Sequence, residues 1–211
     1  MREFARLPEP PSADQVAAEE REDYELVTER TARVHGSHGP APAYFGALLN
    51  SPPLAAALTR LGTSVRRGRL RGTYTDAERE LMDLALAAEL GSGAILPIHI
   101  PDALAVGVRA AAVEALLGDG GDLDADEREL VEYARAFVHG TVDDERYAGM
   151  RKRFGERGAV EFTVLLGFLL MTIRLWQALG VPEPDAEEIA ALLAAMRDGS
   201  LELPDPGARI G

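Results

Sequence analysis

Residues 75–91 have the sequence TDAERELMDLALAAELG, and this stretch predicts a well-delimited helix. It opens with a capping box, in which the Thr75 hydroxyl and the Glu78 carboxylate each satisfy a free backbone N–H of the first turn. It ends at Gly91, a residue type common just after helix C-termini. Most of the helix surface between these signals is apolar, and Glu80 is expected to be partly buried because it shares a face with Ala77, Leu84 and Ala87.

Helical spacing and capping residues predict further helices on both sides of this one. In the segment that begins at Pro52, we expect an apolar stripe of Leu54, Leu58, Leu61 and Val65. No segment shows the alternation of apolar and polar residues that is typical of a strand, so the predicted fold class is all-α. The other predicted helices cover about 12–33, 43–49, 52–67, 96–106, 108–117, 124–139, 143–155, 156–179 and 185–198.

The predicted organisation is a single helical domain with an N-terminal helical arm. Residues 1–34 form the leader and the arm, residues 35–182 the domain, and residues 183–211 a C-terminal helix and a loose tail. The arm is highly charged, so only a narrow stripe such as Val16, Tyr24 and Val27 is expected to be buried.

Composition excludes several classes of function. The formal net charge of −13 argues against a general nucleic-acid binder, because neutralising phosphates requires a basic surface. The single basic run, residues 66–71, is short, and we interpret it as a solvated helix end and loop rather than an anion site. The chain has no cysteine, which excludes disulfides, thiol nucleophiles and zinc–thiolate sites.

The sequence also predicts a cytoplasmic protein without a membrane segment. The N-terminal residues contain acidic residues and prolines and lack the apolar core of a secretory signal. The longest apolar stretch, residues 162–173, is too short to cross a bilayer and is expected to be a buried core helix.

Among the four histidines, His99 differs from the others because it shares a helical face with apolar residues. Such a histidine is more often satisfied within the core than catalytic, and acid–base chemistry is the functional alternative. His35 and His38 lie in a Gly-rich loop; they offer a metal-binding spacing, but a plain loop is the favoured interpretation. His139 lies at a helix end, where it has a structural role.

Two acidic residues occur in apolar surroundings. Glu80 either forms an ion pair with an arginine such as Arg79 or Arg174, or orients His99 and exchanges protons with it. The tight turn at residues 91–93 makes the two helices antiparallel, which permits contact between Glu80 and His99 without requiring it. For Glu161 we favour a structural ion pair.

Three runs in this sequence resemble the carboxymuconolactone decarboxylase family, also called the AhpD-like family. They are YFGALLNSP at 44–52, DAEREL at 76–81 and HIPDALAVGV at 99–108, and VEFT at 160–163 also fits. The similarity extends from about residue 35 to residue 182. It implies an AhpD-like helical bundle that forms homo-oligomers, such as dimers, trimers or hexamers.

The resemblance also implies site residues. Glu80 and His99 match the glutamate and histidine of the peroxidase branch, whose two cysteines fall here on Ser92 and Ile95. A thiol peroxidase is therefore excluded. Relatives without cysteine place a Glu-Trp pair where this chain has Ile95 and Leu96.

We therefore expect a cofactor-free enzyme, a decarboxylase or a related isomerase or cyclase, that acts on a small carboxylated or enolisable metabolite. His99 and Glu80 are the predicted catalytic residues, and Ile95, Leu96 and Ala103 the predicted substrate-binding residues, with no metal. A non-catalytic oligomer that binds a ligand or serves as a scaffold is the alternative. A redox or metal enzyme, with His35, His38 and His99 as its only imidazole ligands, is the third.

Overall fold

The computed structural model describes residues 6, 8–36 and 39–205, and in these ranges the chain is all-α, without strands. A short 3-10 turn at Ala18–Glu20 precedes the first helix. The ten helices are α1 (Arg21–His35), α2 (Pro40–Leu48), α3 (Pro52–Val65), α4 (Gly68–Arg71), α5 (Asp76–Glu89), α6 (Leu96–Ala105), α7 (Ala110–Leu117), α8 (Ala125–Val138), α9 (Asp144–Leu179) and α10 (Ala186–Asp198).

The chain divides into two compact units. The first consists of residues 1–64 with 174–182, and the second of residues 65–173 with 183–211. The predicted arm at 1–34 and the predicted boundary between residues 182 and 183 stay predictions.

The first unit is built around α1, α2 and most of α3. α1 packs against α2, and Val27, Leu49, Ala55 and Ala56 form a buried cluster. The helix begins at Arg21 rather than near Ser12, because residues 12–15 form a turn in which Gln15 accepts hydrogen bonds from Ser12.

The predicted apolar stripe of α3 is wrong in part. Leu54 is 66% exposed and Leu61 is 38% exposed, whereas Ala55, Ala56 and Thr59 are buried. Small side chains therefore face the neighbouring helices, because they allow a close approach of the backbones, and two of the leucines point outwards.

The second unit is built around α5. This helix packs against α6, α7 and α8, and α10 packs against α6 and α7. The predicted capping box is confirmed: the Thr75 hydroxyl accepts from the Glu78 N–H, and the Glu78 carboxylate accepts from the Thr75 N–H at 2.7 Å. The capping residues Asp124 and Asp185 start α8 and α10 in the same way.

The predicted break at Gly155 is also confirmed. α9 runs from Asp144 to Leu179, but Gly155 has a positive φ of 71° and interrupts the helical backbone. Glycine adopts this conformation at little steric cost, and other residue types do not. The predicted helices on either side of residue 155 are therefore two segments separated by a kink.

α9 is the one helix in the described part of the chain that is long and apolar enough to cross a membrane by length and composition. Buried core helices of soluble proteins meet the same criterion, and 39% of its most apolar window is buried. The absence of a membrane segment and the cytoplasmic location stay predictions.

The link between α3 and α5 depends on contacts around Tyr74. The Tyr74 hydroxyl donates to the Val65 carbonyl oxygen, and its ring covers Gly68 in α4. A Cβ atom at Gly68 would clash with the Tyr74 ring, so only glycine fits beneath it. This packing determines the path of the chain between residues 65 and 75.

We therefore predict that Gly68→Ala lowers the free energy of unfolding by about 1–3 kcal/mol, the typical cost of overpacking. Urea denaturation measures this loss. Gly167→Ala in α9 is the matched control: its new Cβ atom meets its nearest neighbour, Phe137, at 3.7 Å, an ordinary contact, so the helix propensity of alanine should leave stability equal or higher. A Gly68→Ala protein as stable as wild type would contradict the proposed packing.

Candidate active site

The central helix α5 buries charged residues along with its apolar ones. Every residue from 79 to 87 is buried, and three of them are Arg79, Glu80 and Asp83. A buried charge is costly unless it is paired and hydrogen-bonded, so the neighbouring elements have to supply partners. These partners come from two places, the linker between α3 and α4 and the helix α6.

Glu80 has a partner on each carboxylate oxygen. Oε2 lies 2.8 Å from Nδ1 of His99, and Oε1 accepts a hydrogen bond from the neighbouring Arg79. The structure thus brings the two predicted catalytic residues into contact, and it also confirms the predicted ion pair with Arg79. The other arginine considered, Arg174, donates to Gln177 instead.

His99 is held on α6 with part of its ring accessible. Its backbone N–H donates to the Ile95 carbonyl oxygen at 3.0 Å in the first turn of α6. Nδ1 lies near both Glu80 and Asp83, at 2.8 Å and 3.7 Å. The side chain remains 12% exposed, and Nε2 has no hydrogen-bond partner in the part of the chain that the structure describes.

Asp83 and Arg66 complete the cluster, and the sequence analysis identified neither. Nη1 of Arg66 lies 3.3 Å from Oδ2 of Asp83 and 4.0 Å from Oε1 of Glu80. A signal for Asp83 was present, since it is three positions after Glu80 and residues with this spacing share a helical face. Arg66 had no such signal, because only the tertiary fold brings its linker to α5.

The interpretation of residues 66–71 as a solvated run is therefore wrong for part of the run. Arg66 faces Asp83 and Glu80, and Arg71 forms an ion pair with Glu161 at 2.7 Å. Arg69, which is 57% exposed, pairs with Asp76. These arginines are thus distributed among separate carboxylates and do not form one basic surface.

The cluster shifts the pKa values of its acid and base in opposite directions. Burial opposes ionisation of Glu80, but the charges of His99, Arg79 and Arg66 together hold its pKa below the ordinary value of 4.5. Burial also opposes protonation of His99, but Asp83 and Glu80 outweigh it and raise the pKa above 6.5. An ionised Glu80 can only accept, so Nδ1 carries a proton and Nε2 is the nitrogen that exchanges one.

The ligand atoms of Glu80, Asp83 and His99 lie within 4.8 Å of one another, a spacing that could hold a metal ion. Arg66 and Arg79, however, already bind the same carboxylate groups. A divalent cation would have to displace these guanidinium groups and would face their positive charge. The donor set therefore fits an ion-pair network better than a metal centre.

The three predicted substrate-binding residues lie in or next to α6: Ile95 directly precedes the helix, Leu96 begins it and Ala103 lies within it. Ile95, Leu96 and Ala103 are all buried, with at most 5% exposure. Their role in lining a pocket stays a prediction. A cavity of about 550 Å³ lies between α8 and α9, lined by residues such as Glu129, Glu132 and Arg146, and none of the predicted site residues lines it.

The other acidic residue and the other histidines considered in the sequence analysis make contacts that fit structural roles. Glu161 binds Arg71, Arg157 and Thr73, which confirms the predicted ion pair. His139 contacts Glu89 at 2.7 Å on the surface. His35 stacks on Phe45 with ring centroids 5.6 Å apart, and His38 lies outside the described residues.

Ser92 occupies one of the two positions where the resemblance places a cysteine. It is 2% exposed, and its hydroxyl donates to Glu183 at 3.1 Å.

No protein-family model and no curated protein matches this chain. The chemistry of the cluster therefore carries the functional argument: an imidazole whose pKa is raised, held by a buried carboxylate, with a side chain that is 12% exposed.

We predict that NMR titration gives a pKa for His99 above 6.5 in the wild-type protein. Glu80→Gln removes a negative charge and an acceptor for Nδ1, so the pKa of His99 should fall in that variant. The titration of His139, which Glu80 does not contact, serves as the internal control. An unchanged His99 pKa in Glu80→Gln would contradict the electrostatic assignment.

The same shifts make stability depend on pH. Because folding raises the pKa of His99, its contribution to the free energy of unfolding is complete below pH 6.5 and is lost as the pH rises through the folded-state pKa. Glu80 has the opposite sign: its contribution is present above pH 4.5 and is lost as the pH falls through its lowered pKa.

We therefore predict that wild-type stability declines on the alkaline side of pH 6.5, and that His99→Gln lacks this part of the decline. Urea denaturation at a series of pH values measures both proteins. Parallel stability curves for the two proteins above pH 6.5 would show that folding does not perturb the imidazole.

Proposed function

We propose that this protein is a cofactor-free enzyme that transfers a proton to carbon in a small carboxylated or enolisable metabolite, with decarboxylation as the leading reaction. The observation that supports this proposal most is the pairing of His99 with the buried, ionised Glu80 at 2.8 Å, with Nε2 left available. The resemblance to the carboxymuconolactone decarboxylase family points to the same chemistry.

The proposed reaction begins with a carboxylate on the carbon alpha to a carbonyl group, or on the γ-carbon of an α,β-unsaturated carbonyl compound. The bond to the carboxyl carbon breaks, carbon dioxide leaves, and the electron pair moves into the carbonyl to form an enolate. Nε2–H of His99 then donates its proton to carbon, and the enolate becomes a neutral carbonyl compound. The imidazole regains a proton from solvent, while Glu80 keeps its charge and holds Nδ1–H.

The raised pKa of His99 suits this role, because a proton donor has to be protonated at the working pH. Isomerisation or cyclisation of an enolisable metabolite requires the same proton transfer, so these reactions belong to the same proposal.

The exposed apolar side chains of Leu54, Val160 and Val164 are of the kind that a second copy of the chain would cover, which supports a homo-oligomer.

A non-catalytic ligand-binding or scaffold protein is the second candidate. One observation favours it: Arg79, Glu80 and Asp83 contact partners within the cluster, as stability alone would require of buried charges. In that case the network supports the fold and His99 performs no chemistry.

The enzyme and the non-catalytic protein predict different results in an activity assay. We predict that wild-type protein, incubated in D2O with carboxymuconolactone and other carboxylated lactones or β-keto acids, releases carbon dioxide and places deuterium on the carbon alpha to the carbonyl group, where the enolate is protonated. His99→Gln should lower kcat by about 10²–10⁴-fold, the usual contribution of a positioned general acid. Mass spectrometry and NMR measure deuterium incorporation.

His139→Gln is the matched control, because it makes the same substitution at a surface histidine and should leave kcat unchanged. Glu80→Gln should lower kcat and move the acidic-group pKa of the pH–rate profile downwards. Full turnover in His99→Gln would refute the catalytic assignment, and a panel without any turnover by the wild-type protein would favour the scaffold.

A further inference from the structure

The two arginines of the cluster, Arg66 and Arg79, differ in their exposure to solvent and in the number of carboxylates that they contact closely. The Arg79 side chain is only 6% exposed and contacts Glu80, Asp76 and Asp83. Its position within the buried helix α5 makes it a structural counter-ion for these carboxylates. Arg66 lies in the linker between α3 and α4 and is 23% exposed, the largest exposure of any charged side chain that contacts Glu80 or Asp83.

Arg66 also has unused hydrogen-bonding capacity. A guanidinium group has five N–H donors in a planar arrangement that matches a carboxylate. Within the described residues, Arg66 makes one hydrogen bond, to Asp83, and this bond is long at 3.3 Å. The group thus carries a full charge but leaves most of its donors available to a ligand.

A single oxygen connects Arg66 to the proton donor. Oδ2 of Asp83 lies 3.3 Å from Nη1 of Arg66 and 3.7 Å from Nδ1 of His99. The guanidinium and the imidazole are therefore on either side of one carboxylate oxygen. The two groups thus lie within 3.7 Å of the same oxygen, close enough together for one small molecule to contact both.

The charges of the cluster determine what it attracts. Arg66, Arg79 and protonated His99 are the cations, and Glu80, Asp83 and Asp102, which also acts on Arg66, are the anions. The cluster is neutral while His99 is protonated and has one negative charge after the proton leaves. An anion is therefore repelled less by the protonated form than by the deprotonated form.

We propose that Arg66 is the anion-binding residue of this site, and that the ligand is a small carboxylate whose charged group sits on the Arg66 guanidinium while its reactive carbon faces Nε2 of His99. This inference rests on the proposed function and adds the residue that recognises the charged group of the substrate. Carboxylate binding is coupled to protonation of His99, so it weakens as the pH rises.

The first experiment uses benzoate as the probe and benzamide as its uncharged counterpart. Benzoate should bind the wild-type protein saturably, shift the NMR signals of the His99 ring and raise the pKa of His99, because an added negative charge favours the imidazolium. Benzamide should cause no such change. A wild-type protein that does not bind benzoate, or that binds benzamide equally well, would overturn the proposal.

The variants separate recognition from folding. Arg66→Gln leaves Asp83 without a cation and is expected to lose stability, so the double variant Arg66→Gln/Asp83→Asn removes both charges together. Both should bind benzoate at least about tenfold more weakly than wild type, since a charged hydrogen-bond partner is lost. Asp83→Asn alone keeps the cation and should keep binding, as should Arg69→Gln, which changes an exposed arginine paired with Asp76.

Benzoate affinity in the double variant equal to that of Asp83→Asn would overturn the assignment of Arg66. The proposed function fails differently: if His99→Gln turns over normally while benzoate binding still depends on Arg66, the site binds anions but His99 is not the proton donor. If kcat/KM is unaffected in the double variant while His99→Gln is inactive, the enzyme proposal stands and the role of Arg66 falls.

Discussion

The burial of three charges on α5 is the constraint on which the second unit depends. Arg79, Glu80 and Asp83 lie in a stretch that is inaccessible on every side, where an unpaired charge would cost several kcal/mol. α5 therefore requires the α3–α4 linker to bring Arg66 and α6 to bring His99. The contact between Tyr74 and Gly68 serves this arrangement, since it determines the path of the linker.

The same network that satisfies the buried charges produces groups suited to acid–base chemistry. Desolvation by itself would neutralise both Glu80 and His99. Surrounded by opposite charges, the pair instead favours the ionised carboxylate and the protonated imidazole, with pKa values displaced in opposite directions. The proposed proton donor and its carboxylate are therefore also a stabilising ion pair.

Predictions from sequence succeeded where the signal was local. The capping box at Thr75 and the break at Gly155 act within one or two turns of helix, so neighbouring residues suffice to recognise them. The prediction for α3 failed because helical spacing reports that an apolar stripe exists but not which side is covered. In the structure, the residues packed against α3 cover Ala55 and Ala56, whereas Leu54 is exposed to solvent.

The sequence by itself determined an all-α chain, most helix boundaries and the candidate pair of Glu80 and His99, because these depend on helical periodicity, caps and residue chemistry. The tertiary structure alone decided that the two side chains meet at 2.8 Å and that Arg66 and Asp83 join them. Helix periodicity sets the direction of a side chain around its own axis. The packing of one helix on another sets the distance between side chains on different helices, and that distance governs their pKa values and their chemistry.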